Sequence, residues 1–180
     1  MSQLAVMAVG VDRPGIVAAV TEVLLDHGLN IEDSQMTILR GHFTTMLVVS
    51  GPPAVDPAAL SDALREAGKR VGLESIDVRE LSELDPAQPE ATHVVTVHGV
   101  DHPGIVHAVA SALGDRGVNI TDLNTRLLPG DDEGGPLYVM MLEVAVPEAM
   151  VPDALETALE MVGETQGVEV TIRPLEQDAL

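Results

Sequence analysis

The chain opens on a short apolar run, Leu4 to Val9, whose unbroken hydrophobicity suits a strand buried on both faces. The spacing then changes: Ile16, Val20 and Leu24 recur at helical intervals, with Pro14 placed where a helix begins and Gly28 where it stops. Asn30 to Leu39 and Phe43 to Ser50 return to extended character on either side of Arg40-Gly41, the pattern of a hairpin. Asp56-Pro57 supplies an N-cap and a first-turn proline for a second helix carried by Leu60, Leu64 and Val71, and Ile76 and Val78 alternate in a closing strand. The succession begins again at Val94 to Val97. Pro103, Ile105, Val109, Leu113 and Gly117 mark one helix, Pro152, Leu155, Leu159 and Val162 another, and Val168, Val170 and Ile172 a last strand. The predicted order is βαββαβ, twice.

The second half repeats the first in sequence as well as in pattern. GVDRPGIVAAV at Gly10 to Val20 returns as GVDHPGIVHAV at Gly99 to Val109, an offset of 89 residues, and 15 of the 24 positions from Gly10 to Asp33 are identical in the copy. A period near 90 residues is a whole domain rather than a solenoid unit. The expected organisation is a first domain over 1–81, a polar, proline-bearing linker over 82–91 (Ser82 to Ala91), and a second domain over 92–180. A βαββαβ unit of this size is a split βαβ arrangement. The expected fold class is therefore α+β: two ferredoxin-like sandwiches in tandem, each an antiparallel sheet with both helices on one face because right-handed crossovers place them there. Modules this small gain burial by joining sheet edges or helical layers, so a homodimer or larger homo-oligomer is expected.

Composition narrows what such a pair can do. With 29 acidic residues against 9 basic ones the net charge is −20, and Phe43 and Tyr138 are the only aromatics. A phosphate backbone is repelled and no stacking platform for bases exists, so no direct nucleic-acid contact is expected. The absence of cysteine removes disulfides, thiolate nucleophiles and Cys-type zinc sites, and is compatible with a reducing compartment. No apolar run approaches the length of a membrane span and the N-terminus carries no basic region, so the protein is expected to be cytoplasmic and off the membrane.

Candidate chemistry concentrates in the turn between the first strand and first helix of each copy, Asp12-Arg13-Pro14-Gly15 and Asp101-His102-Pro103-Gly104. A helix N-terminus presents unpaired N–H groups and partial positive charge, and glycine lets a small anion approach the backbone. The neighbouring aspartate could accept from an ammonium, giving groups for both ends of an amino-acid zwitterion. Equally, aspartate could simply cap the helix while glycine makes the turn. At the far end of the same helix, Asn30 and Asn119 offer a donor and an acceptor, although Gly-x-Asn is also ordinary helix-ending chemistry. Arg13 is a permanent cation and His102 titrates near neutrality, so the two copies need not bind alike.

Other motifs assign no metal and no cofactor. Three acids lie within Pro129 to Pro136, an insertion in the second hairpin that lacks calcium-loop spacing and reads as a solvated turn. His93, His98, His102 and His107 cluster in sequence, but strand parity turns His93 away from His98, leaving at most three to converge. No nucleophile elbow and no glycine-rich phosphate loop is present, so no catalytic residue is assigned and the chain is expected not to be an enzyme.

Taken together, the short strand, D-R/H-P-G-I-V, the helix and G-x-N-I-x-D closely resemble the ACT domain, a family of amino-acid-sensing regulatory modules. The resemblance covers nearly the whole chain in two copies, and the tandem pair looks like the glycine cleavage system transcriptional repressor group. It implies ligand contacts from Asp12, Arg13, Gly15, Ile16, Asn30 and Ile31, and from Asp101, His102, Gly104, Ile105, Asn119 and Ile120, at interfaces between paired modules. The function it implies is non-catalytic: sensing of an amino acid, with output through a protein partner and a connection to transcriptional regulation of amino-acid metabolism. The alternative is a structural oligomerisation module that binds no metabolite.

Overall fold

A computed structural model describes residues 2–53, 55–81, 89–129 and 136–175. The chain divides into two compact units, Met1–Pro86 and Ala87–Leu180. Most of the expected linker, and the acidic part of the second hairpin's insertion, lie outside the described residues.

The first unit runs β1 (Ser2–Val11), α1 (Ile16–Asp26), β2 (Asn30–Leu39), β3 (His42–Gly51), α2 (Pro57–Val71) and β4 (Leu73–Glu80). The second runs β5 (His93–Val100), α3 (Ile105–Gly114), β6 (Asn119–Leu128), β7 (Leu137–Ala145), α4 (Pro152–Gln166) and β8 (Val168–Pro174). Each builds one four-stranded antiparallel sheet, in the orders β2-β3-β1-β4 and β6-β7-β5-β8, so the tandem βαββαβ fold expected from the sequence is the fold observed.

Each unit owns a core. In the first, Ile16, Val20 and Leu24 of α1 and Leu60 and Leu64 of α2 pack on Leu4, Val6, Ala8, Phe43 and Val49 of the sheet. In the second, Ile105, Val109 and Leu113 join Leu155 and Leu159 over Val95, Val97, Met140, Leu142 and Val144. Burying each such side chain contributes about 1.5–3 kcal/mol, which is what sets the helices on one face of each sheet. Alternation along β1 then leaves Met7 and Val9 on the opposite face.

Local signals explain the ends of the elements. Asp56 caps α2 by accepting from the Ala58 N–H at 3.0 Å, with Pro57 in the first turn as expected. The first helices begin differently from expectation: Pro14 and Pro103 lie in the preceding turn, and α1 and α3 start at Ile16 and Ile105 behind Gly15 and Gly104. Those glycines have φ of 95° and 107°, a left-handed conformation that a Cβ would strain. Gly10 serves another need. A Cβ there would lie 2.6 Å from the Gly72 carbonyl oxygen, so only glycine lets β4 begin so close against β1.

Both β2 and β6 carry a register shift, between Ile31 and Asp33 and between Ile120 and Asp122, where one extra residue breaks the ladder with the neighbouring strand. Every residue of β2, an edge strand that pairs with β3 alone, is exposed. Among the described residues no helix is long and apolar enough to cross a membrane.

Candidate functional site

The expected site residues of the first unit occupy the two ends of α1. Asp12, Arg13, Gly15 and Ile16 lie at its N-terminal end, and Asn30 and Ile31 open β2 just past its C-terminal end. Eleven residues at about 1.5 Å rise separate the ends by about 16 Å. One small amino acid cannot span that distance, so the two halves of the expected set cannot meet around one such ligand within a single unit. They do share a groove of about 790 Å³ along the flank of α1, lined by Gly15 at one end, Leu29, Asn30 and Ile31 at the other, and Ala18, Thr21, Glu22 and Leu25 between them.

The N-terminal end leaves backbone donors uncapped. Neither α1 nor α3 has a side-chain cap, so Asp12 and Asp101 do not play the capping part that a purely structural reading gave them. The first helical bond of α1 is from the Ala19 N–H to the Gly15 carbonyl, at 2.9 Å, which leaves the N–H groups before it without an intrahelical partner. In α3 the first bond is from Ala108 to Gly104, again at 2.9 Å. The Asp12 N–H is spent on the Gly41 carbonyl at 2.9 Å, tying this loop to the β2–β3 turn. Ile16 and Ile105 send their side chains into the cores, so only their backbones face the loop.

At the other end, Asn30 and Asn119 are exposed, and their amides make no hydrogen bond among the described residues. Ile31 is also exposed. Sequence reasoning did not anticipate Glu22 and Leu25 as groove residues. Leu25 carried a signal: it is an apolar residue beside the core stripe of α1 and is 75 % exposed. In the second unit the repeat places Ser111 and Gly114 where Glu22 and Leu25 stand, and His107 in place of Ala18.

Arg13 and His102 turn away from the helix flank toward the end of the other helix. Arg13 lies over Gly72, the residue that closes α2, where an added Cβ would sit 3.2 Å from its Nε. His102 reaches the corresponding end of α4: its Nε2 is 2.7 Å from the Gln166 carbonyl oxygen and its Nδ1 is 3.1 Å from that of Pro103. The pKa of His102 is raised above the usual histidine value, first by the bond to Gln166, then by that to Pro103, with a smaller contribution from the Asp101 charge. Tyr138 in β7 is raised as well, by burial first and by Asp101 second. His98 pairs with Glu169 at 3.1 Å rather than with another histidine, and no group of three metal-ligating side chains occurs among the described residues.

Two ACT domain models match the chain, over residues 2–78 and 93–160. The glycine cleavage system transcriptional repressor of Escherichia coli is 30% identical over 131 residues, 72% of this chain and 67% of that protein. The phosphoserine phosphatase SerB2 of Mycobacterium tuberculosis is 31% identical over 165 residues, 91% of this chain; the chain spans 38% of that enzyme's length. Among solved structures, an unknown protein from Galdieria sulphuraria superposes with a TM-score of 0.82 at 31% identity, over 97% of this chain and 98% of that one.

Proposed function

The chain belongs to the ACT domain family, with two such domains in tandem, and from that premise we propose that it is a non-catalytic sensor of an amino acid. Membership accounts for a regulatory, ligand-sensing module, and such domains typically bind small molecules and oligomerise. The observation that carries the finer reading is the uncapped N-terminus of α1, behind left-handed Gly15, at one end of a groove whose other end offers the unpaired amide of Asn30. A carboxylate suits the first end, where N–H groups and the helix dipole converge. An amide that both donates and accepts suits either end of a zwitterion.

Because about 16 Å separates the two halves in one unit, a second copy of the chain would complete the set around one ligand. Binding and assembly are then linked, which is how a protein with no catalytic group converts a metabolite level into a contact. The relative named as a glycine cleavage repressor makes glycine the first ligand to try and transcriptional control of amino-acid metabolism the first output to examine. With a net charge of −20 that output runs through a protein partner rather than through DNA. The cytoplasm is the compartment this reading assigns, with residues 82–91 as the link between the domains.

The test is thermal unfolding of the purified protein across amino acids, followed by calorimetry on Asn30→Ala and Asn119→Ala. A ligand at 100 times its Kd should stabilise the fold by about 2.7 kcal/mol, and loss of an amide contact to a charged group should weaken binding by about 1.5–3 kcal/mol. A flat response to every amino acid would leave a structural oligomerisation module as the better account. Unaltered binding by both variants would remove the asparagines from the site.

A further inference from the structure

The residue that follows the loop aspartate lies against the end of the second helix in each domain, and the two domains place different chemistry there. In the first, the Arg13 guanidinium packs over Gly72, and arginine keeps its charge at every physiological pH. In the second, both ring nitrogens of His102 face carbonyl oxygens, Gln166 from α4 and Pro103 from the loop itself. A carbonyl only accepts, so both contacts are satisfied only when each nitrogen carries a proton. Gln166 is also the last residue of α4, where the terminal carbonyls lack helical partners and the dipole favours a cation.

We propose that His102, as the imidazolium, is a latch that holds the β5–α3 loop on the C-terminus of α4, so that loop order in the second domain falls as pH rises while the first loop, with Arg13 at that position, does not respond. His102 is thus a positioning residue for the loop whose N–H groups the preceding reading assigns to a ligand carboxylate, and its bearing on binding rests on that reading. The groups around it are consistent with the assignment. Asp101, on its own loop, favours the cation; α4 presents the Gln166 carbonyl, with the Gln166 Oε1 3.6 Å from where a Cβ on Gly104 would lie; β8 opens with Val168; and Tyr138 of β7 stays neutral throughout this range. Since the folded-state pKa is raised, the latch is fully held below the ordinary histidine value and released as pH climbs through the higher folded value.

The experiment uses the full chain. Nuclear magnetic resonance follows the His102 ring between about pH 5.5 and about pH 8.5, assigned by its loss in His102→Gln, together with hydrogen exchange of the Ala108 and Ala19 amides, which donate to the loop carbonyls of Gly104 and Gly15. After correction for intrinsic exchange rates, protection of Ala108 should fall severalfold in step with the His102 titration while that of Ala19 stays level. His102→Arg should abolish that dependence, and Arg13→His should transfer it to the first loop. A ring that titrates at or below the ordinary histidine value, or loop protection indifferent to its titration, overturns the latch. Glycine titrated calorimetrically at both pH limits serves as the ligand probe. Affinity lost severalfold at high pH in wild type but not in His102→Arg supports the link to binding, and equal affinity at both limits in wild type overturns it. If glycine gives no heat at either limit, the failure belongs to glycine sensing, and the latch is still decided by exchange.

Discussion

The two domains agree at the glycines and strand register that shape the backbone, and differ at chosen points of the core and of the open sheet face. Both place a left-handed glycine before the first helix, both insert one residue at the same point of the edge strand, and both order their strands identically. Yet Phe43, fully buried in the first core, corresponds to Tyr138 in the second, half-buried with its hydroxyl toward the Met140 sulfur. On the face opposite the helices, Met7, Val9 and Thr37 correspond to Thr96, His98 and Arg126. The first domain keeps Met7 and Val9 there beside an Arg79–Asp77 pair at its β4 edge, where the second has the His98–Glu169 pair. The two copies thus share a scaffold and differ in the side chains laid on it.

The sharpest way to break this comparison is at the glycines where strands meet. Gly10→Ala drives a Cβ into backbone, 2.6 Å from the Gly72 oxygen and 2.7 Å from the Leu73 Cα, whereas Gly99→Ala meets the Val168 Cγ1 first, at 2.7 Å, with the Val168 Cα and Cβ at 3.1 Å. The expected cost is about 3 kcal/mol or more for the first and about 1 kcal/mol for the second. Hydrogen exchange resolved by domain measures each; equal costs would show that β4 can retreat as readily as a side chain.

Next in size are the caps of the second helices. Asp56 caps α2, while Val151 at the same place before α4 offers no side-chain bond. Asp56→Ala should lower the stability of the first domain by about 1 kcal/mol, and Val151→Asp should raise that of the second by a similar amount, both read from denaturant midpoints. A neutral Val151→Asp would mean that another group already serves those N–H groups.

The smallest effect is expected on the open face. Met7→Thr combined with Val9→His gives the first domain the residues of the second, and should move its stability by no more than about 0.5 kcal/mol while reducing binding of a hydrophobic dye. A larger loss of stability would show that these side chains are not simply solvent-facing.

How far the sequence disclosed all this varies with the range of the interaction. Strand and helix order were legible because Val6, Ile16, Val20 and Leu64 repeat at spacings that only one secondary structure can bury. The start of α1 was read two residues early, since proline is welcome at a first helical position and nothing local reveals that Gly15 adopts a left-handed turn. The bulge at Glu32 was not visible, because register belongs to a pair of strands and not to one. The loop and the two asparagines were found from the repeat, but the length of α1 between them was not weighed. The direction of His102 was beyond reach: its partner Gln166 is 64 residues away and offers a backbone carbonyl, which leaves no mark in side-chain pattern.

The break in the edge strands bears finally on solubility. A strand with one unpaired side is a template on which further chains can stack, and β2, with Ile31, Met36, Ile38 and Leu39 all exposed, has the apolar content that makes such stacking run away. The inserted residue bends the template near its start, and carboxylates stand at that point, Glu32 and Asp33 in one domain and Asp122 in the other. Like charges laid over one another at every step of a growing stack repel, so an edge can accept one specific neighbour yet resist an endless fibre.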